Sequence, residues 1–288
     1  MHQELKALCT LLAMTMLLSP VIPVAAQDGT EWRRVYPSAT AYMQLAGGEV
    51  VIELNAEFAP ATVAQFKRLV RNGFYDGLDF YRVVDGFVAQ GGDGSDMGDV
   101  SNSEPMLPAE FEGEWSERLP FVSVQKPDMF APETGFIDGF AAARDLPSRK
   151  VWLTHCPGVI AMARNDGPDT GSTDFYIVIG QAPRYLDRNL TIFGRVVQGM
   201  DVVHRVIRGP FEANGMIAEG EPRTIIEKIV IAGDLRADEQ KKIEVRNTSG
   251  AEFRRELDSR KHRGPPFFHH KPPALLDVCQ VPVPGRVD

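Results

Sequence analysis

Short apolar runs, broken by glycine and turn residues, dominate the chain between residues 42 and 232. Residues 42–54 read as two strands about Gly47-Gly48, and Glu49-Val50-Val51-Ile52-Glu53-Leu54 is apolar enough for a barrel wall. Pro60 and Thr62 open a segment in which Val63, Phe66, Leu69 and Val70 recur at helical spacing, and Gly73 ends it. Residues 79–90 read as strand, turn, strand. Further strands are predicted over 158–163, 175–179, 191–196 and 224–232, with a second helix at Met200-Asp201-Val202-Val203-His204-Arg205-Val206. Many short strands with glycine-rich turns and two helices predict a mainly β fold built on a closed barrel.

Two stretches break this rhythm. Residues 93–154 hold several Pro and Gly residues and only fragments of periodicity, around 107–111, 119–124 and 136–143. A long irregular segment in a compact domain is functional or disordered. Its aromatics Trp115, Phe121, Phe130, Phe136 and Phe140 predict that it packs on something. Beyond Asp234 the chain turns charged, with one helical phrase at Phe253 and Leu257, and then Pro-rich at Pro265-Pro266, Pro272-Pro273, Pro282 and Pro284. That composition predicts a flexible tail over 234–288. Residues 27–39 read as a polar lead-in.

With 288 residues, 43% of them hydrophobic, the chain can bury a full core. A net charge of −8 argues against nucleic acid as a partner, because that role wants a basic face. The apolar run from Ala7 to Leu18 continues through Val21-Ile22-Pro23-Val24, and Val24-Ala25-Ala26 precedes Gln27. This has the form of a secretory signal peptide over 1–26, too short and too interrupted for a membrane span, with an uncleaved anchor as the alternative. Export is expected, into the periplasm in preference to an organelle lumen, with no stable membrane insertion after cleavage. Of the two cysteines left, Cys156 beside a strand reads as a small buried apolar residue. Two unpaired thiols are expected, although an oxidising compartment would permit a disulfide with Cys279.

The candidate chemistry lies in Phe80-Tyr81-Arg82-Val83-Val84-Asp85-Gly86-Phe87-Val88-Ala89-Gln90-Gly91-Gly92-Asp93. This stretch supplies a fixed cation, an aromatic wall and an amide, but no nucleophile, general base or metal-ligand set. Taken singly, Arg82 reads as a surface ion-pair partner, Phe87 as core and Gln90 as a turn residue. Asp93, Asp96 and Asp99 hint at calcium, but the ligand register of known calcium loops is absent and turn formation is the simpler account. Likewise His262, His269 and His270 read as scattered tail residues, and no Ser/His/Asp pattern has hydrolase context.

The same stretch resembles the signature of the cyclophilins, a family of peptidyl-prolyl cis-trans isomerases. Two more segments carry the resemblance in order: Gly158-Val159-Ile160-Ala161-Met162-Ala163-Arg164 with Gly171-Ser172-Thr173-Asp174-Phe175-Tyr176-Ile177, and Tyr185-Leu186-Asp187 with Ile192-Phe193-Gly194-Arg195-Val196. The resemblance implies an eight-stranded antiparallel barrel capped by two helices over 40–233, with an insertion within about 113–150. That insertion is expected to fold beside the active-site face, and a surface excursion is the alternative. It also implies Arg82, Phe87 and Gln90 as catalytic residues, and Tyr81, Val88, Ala163, Arg164, Asp174, Tyr176, Tyr185 and Leu186 as substrate-binding ones. The implied partner is a proline-containing polypeptide, met by a monomer that uses no cofactor and no metal. Where the family often has histidine, proline, methionine, glutamine, phenylalanine, tryptophan or phenylalanine, and histidine, this chain has Tyr81, Asp85, Val88, Asp174, Tyr176, Tyr185 and Leu190 respectively. Asp174 raises the prospect of a carboxylate pairing with Arg82 and lowering activity, and Tyr185 that of weakened cyclosporin-type binding. A catalytically weak module that binds proline peptides is the second reading.

Overall fold

The computed structural model describes residues 31–94 and 104–288. The expected signal peptide lies outside them. In chain order the strands and first helix are β1 (Trp32–Val35), β2 (Thr40–Leu45), β3 (Gly48–Leu54), α1 (Pro60–Arg71), β4 (Asp79–Val84) and β5 (Val88–Gly92). There follow β6 (Gly113–Glu114), β7 (Val122–Gln125), β8 (Glu133–Ile137), β9 (Phe140–Asp145) and β10 (Lys150–Leu153). The chain continues through β11 (Val159–Met162), β12 (Phe175–Val178), β13 (Ile192–Gln198), α2 (Met200–Val203) and β14 (Thr224–Ile231). It closes with β15 (Ile243–Arg246), α3 (Ala251–Lys261) and β16 (Gly285–Val287).

Eight strands close into an antiparallel barrel in the order β11-β12-β5-β4-β14-β2-β3-β13. Alternation along each strand decides what fills it. Met43, Leu45, Val50, Ile52, Ile160, Ile177 and Phe193 point into one core, which α1 plugs with Phe66 and Leu69. The Phe66 ring lies 5.2 Å from Phe193 and 6.2 Å from Phe175, edge-on to the latter. The second predicted helix shrinks to the single turn α2. The β-branched pair Val202-Val203 gives it poor helical material, and those valines serve instead as core.

Residues 113–153, inside the stretch without a clear period, hold the antiparallel sheet β6-β10-β9-β8-β7. Its apolar face (Trp115, Val124, Phe136, Phe140, Leu153) shares a second core with the outward-facing Val88, Ala161, Tyr176 and Val178 of the barrel. The sheet therefore packs on the outside of the strands that carry the predicted site.

The tail, expected from its composition to be flexible, carries two strands and a helix that pack on the rest of the chain. β15 pairs with β1 and β16, so the polar lead-in is a strand as well. This three-stranded sheet covers the outside of β2 and β3, where Tyr42 and Val51 join Val35, Ile243 and Val245. α3 inserts Phe253 and Leu257 into the second core, Phe253 meeting Phe136 edge-on at 5.4 Å. Leu276, Val278 and Val281 dock beside them, and Cys279 forms a disulfide with Cys156. The two thiols are thus paired, not free: each sits in the same apolar cluster, which holds them together across 123 residues of sequence. Sparse apolar residues, each placed on an apolar surface, suffice to order a chain that composition alone would call disordered.

Candidate active site

On β4, Phe80 and Val83 both reach the barrel core although they are three positions apart. The pairing with β5 slips between Asp79 and Arg82, and this bulge leaves Tyr81 and Arg82 together outside the core. Arg82 then stands opposite Gln90 on β5, Gln90 opposite Tyr176 on β12, and Tyr176 opposite Ala161 on β11. The residues alternating with them (Val83, Ala89, Ile177 and Ile160) fill the interior. Phe87 follows the turn at Gly86, whose φ of +69° suits glycine. Gly180 must also lack a side chain, because a Cβ there would lie 1.9 Å from the Gly86 carbonyl oxygen.

These elements enclose a cavity of about 340 Å³ lined by Arg82, Phe87, Val88, Gln90, Ala163, Arg164, Tyr176 and Leu186. Leu190 and Asn214 complete it. Neither was among the predicted site residues: Leu190 stood only as a departure from a family histidine, and Asn214 sits in a loop with no periodic signal. Of the residues predicted, Tyr81, Asp174 and Tyr185 do not line the cavity. Tyr185 is 65% exposed and lines a neighbouring groove instead.

Tyr81 and Asp174 form a layer behind the wall. Arg82 Nη1 donates to Gln90 Oε1 at 3.0 Å, Gln90 Nε2 donates to the Tyr81 hydroxyl at 2.7 Å, and that hydroxyl donates to Asp174 Oδ2 at 2.9 Å. Asp174 also accepts from the Gly94 amide at 3.2 Å. It is fully buried against Gly92, where a Cβ would fall 1.9 Å from its Oδ1. The anticipated Arg82–Asp174 ion pair is therefore absent. Asp174 acts two side chains away, fixing the amide orientation that presents an oxygen to Arg82. The Arg82 Nε donates to the Asn214 carbonyl at 3.2 Å, and among the described residues Nη2 has no acceptor and the side chain no carboxylate partner. Burial pulls the guanidinium below its ordinary value, with the nearby Tyr81 opposing this; arginine nonetheless stays charged in proteins.

A second buried chain leaves the pocket through Tyr176, whose hydroxyl lies 2.8 Å from His155 Nε2. His155 Nδ1 is 3.0 Å from Asp187 Oδ1, which also accepts from the His155 amide at 2.8 Å. Arg184 Nε donates to the other Asp187 oxygen at 2.6 Å, and its Nη2 to Asp128 Oδ1 at 3.2 Å. With Asp187 accepting, the pattern assigns the His155 proton to Nδ1 and makes Nε2 the acceptor for Tyr176. Burial first, and the Asp187 charge second, push the Tyr176 phenol well above its ordinary value, so it remains neutral. Sequence gave no hint of this role for His155, a lone histidine between Thr154 and Cys156.

Among the described residues no three His, Cys, Asp or Glu side chains gather as a metal site. Asp93 accepts from Thr173 Oγ1 at 2.8 Å, while Asp96 and Asp99 lie outside the described residues. His262 Nδ1 faces the Asp258 carbonyl of its own helix at 2.9 Å. Among the described residues no helix is long and apolar enough to cross a membrane.

Comparison with known proteins agrees with the fold. Residues 40–233 match the family model described as cyclophilin type peptidyl-prolyl cis-trans isomerase/CLD. A probable peptidyl-prolyl cis-trans isomerase of Brucella suis is 31% identical over 207 residues, covering 68% of this chain and 84% of that one. A peptidyl-prolyl cis-trans isomerase of Schizosaccharomyces pombe is 31% identical over 193 residues, covering 67% of this chain and 99% of that one. The crystal structure of the cyclophilin AquaCyp293 from Hirschia baltica superposes with a TM-score of 0.73 at 29% identity, covering 89% of this chain and 93% of that one. The chain belongs to the cyclophilin-type peptidyl-prolyl cis-trans isomerases.

Proposed function

We propose that this isomerase accelerates rotation about Xaa-Pro bonds in unfolded or newly exported polypeptides, with Arg82 stabilising the twisted amide. The barrier is amide resonance, about 18–20 kcal/mol. As the bond twists, the proline nitrogen regains its lone pair and becomes an acceptor. A donor aimed at that nitrogen binds the twisted state and not the planar one, so it lowers the barrier instead of merely tightening binding. The observation that carries this reading is Arg82 on the cavity wall, held by Gln90 and Asn214 with Nη2 still unbonded among the described residues. Phe87, Val88, Ala163, Tyr176, Leu186 and Leu190 give the proline ring an apolar seat while the preceding carbonyl turns. No step transfers a proton, in keeping with a neutral Tyr176 and a permanently charged Arg82.

Two features support export: the apolar N-terminal run ending in Val24-Ala25-Ala26, and the Cys156–Cys279 disulfide, a bond that persists in oxidising compartments. NMR exchange spectroscopy of a short Ala-Pro peptide tests the activity. Protein at a few per cent of the peptide should bring cis–trans exchange from tens of seconds into the sub-second range. Peptide resonances that shift on addition of protein without faster exchange would instead identify a binding module.

A further inference from the structure

A second, larger cavity of about 730 Å³ adjoins the proline pocket, and its walls come from the β12–β13 connection, from residues 109–112 and from the 113–153 region. The two share a partition. Tyr185 and Asn189 line the larger groove while their neighbours Leu186 and Leu190 line the pocket. Arg164, on the pocket wall, lies 5.6 Å over Phe111 of the groove and donates to the Asn189 carbonyl at 2.9 Å. The groove thus begins one residue from the pocket wall, within reach of a chain seated with its proline in the pocket.

The cations at the groove are already committed: Lys150, opposite Asp145 in the β9–β10 ladder, binds Glu114 at 2.9 Å and Glu112 at 3.4 Å. Arg184 is bound to Asp187 at 2.6 Å, and Arg188 to Glu112 at 2.6 Å. That leaves Asp145, at the end of β9, with no ion pair and no side-chain hydrogen bond among the described residues. The surrounding rings already hold cations: Arg184 lies 5.4 Å over Phe130, and Arg188 lies 4.9 Å over Trp152. Tyr185 holds none among the described residues and is 65% exposed at the rim, next to a Phe130 that is 49% exposed. A long basic side chain suits these parts. Its methylenes can cover Phe130 and Tyr185 while its head reaches Asp145.

Building on the isomerase reading, we infer that the groove is a subsite for a lysine or arginine of the client polypeptide lying within a few residues of its proline. The net charge of −8 favours such clients at longer range, but the unpaired carboxylate in an aromatic groove makes the preference positional.

A peptide series with an Ala-Pro core tests this. Lysine is placed in turn at each of four positions on either side of the proline, with glutamate and norleucine at the same positions as controls. Affinity is measured by NMR titration against the full chain, against Asp145→Asn, and against Asp238→Asn, which removes a charge from the exposed tail. Lysine at one or two adjacent positions should bind about fivefold more tightly than norleucine, the size expected of a partly exposed ion pair. Asp145→Asn should erase that gain, while Asp238→Asn keeps it and leaves exchange of the bare Ala-Pro peptide unchanged. A lysine gain at no position, a gain that survives Asp145→Asn, or an equal loss with Asp238→Asn would overturn the subsite. A positional gain without catalysed exchange in the wild type would defeat the isomerase reading alone.

Discussion

At the scale of single residues, the site is a guanidinium held by a relay instead of by a counter-ion. Arg82, Phe87 and Gln90 could be read from the sequence because their spacing is that of the family and each reaches the cavity directly. Asp174 could not. Its position in the sequence suggested a rival partner for Arg82, whereas the bulge in β4 brings Tyr81 alongside and makes Asp174 the anchor of the Arg82–Gln90–Tyr81 chain. A one-residue slip of register changes which side chains share a face, and the apolar pattern of Phe80-Tyr81-Arg82-Val83 does not reveal it. If the relay sets the orientation of Arg82, Tyr81→Phe should lower kcat/KM about tenfold, the equivalent of one hydrogen bond of roughly 1.4 kcal/mol, without changing the pocket lining. Exchange kinetics with a short peptide check this, and unchanged kcat/KM would show that Gln90 holds Arg82 unaided.

At the scale of elements, the barrel strands were legible because one face of each is apolar and the other lies on a second layer or in water. That second layer was signalled too: Tyr42 and Val51 are apolar on the outward side of β2 and β3, and unbroken apolar runs mark strands covered on both faces. The sheet of 113–153 escaped reading because its strands are short and joined by Pro- and Gly-containing turns. Its stability has a pH signature. Glu133 on β8 faces Arg144 on β9, which donates to it at 2.8 Å. Burial raises the Glu133 carboxyl, but hydrogen bonds from Arg144 and Ser123 and the charges of Arg144 and Lys126 outweigh this and hold it below the ordinary glutamate value. A depressed carboxyl contributes stability at neutral pH that is lost as the pH falls below the unfolded glutamate value, about 4.3, and through the lower folded value. Glu133→Gln should therefore melt lower than the wild type at pH 7, with the gap closing towards pH 3. A gap that stays constant over that range would remove Glu133 from the acid response.

At the scale of the whole molecule, the tail is a strap. It starts at the barrel's outer wall with β15, crosses the 113–153 sheet with α3, and is pinned by Cys279 to Cys156, next to the His155 that holds Tyr176. Composition concealed this, since charge and proline content measure average tendency and not where each Ile, Phe or Leu lands. Closing a loop of this length is worth about 5 kcal/mol in the chain-entropy picture. Cys279→Ser should lower thermal stability markedly and remove hydrogen-exchange protection at residues 276–281 while the barrel strands stay protected. Retained protection there would mean that apolar docking alone holds the strap.

The proposed function places one group at the centre: a guanidinium donor that would meet the proline nitrogen only when the peptide bond is twisted. The most direct test is NMR exchange of a short Ala-Pro peptide with wild type, Arg82→Lys and Arg82→Ala side by side, with peptide affinity measured in the same samples. Loss of a donor to a developing charge typically costs about 100- to 1,000-fold in rate. Arg82→Ala should fall by that much with affinity within about threefold of wild type, and Arg82→Lys should recover little, because an ammonium lacks the fixed fork of donors. Exchange by Arg82→Ala at near wild-type speed would contradict the account and assign the acceleration to the apolar pocket.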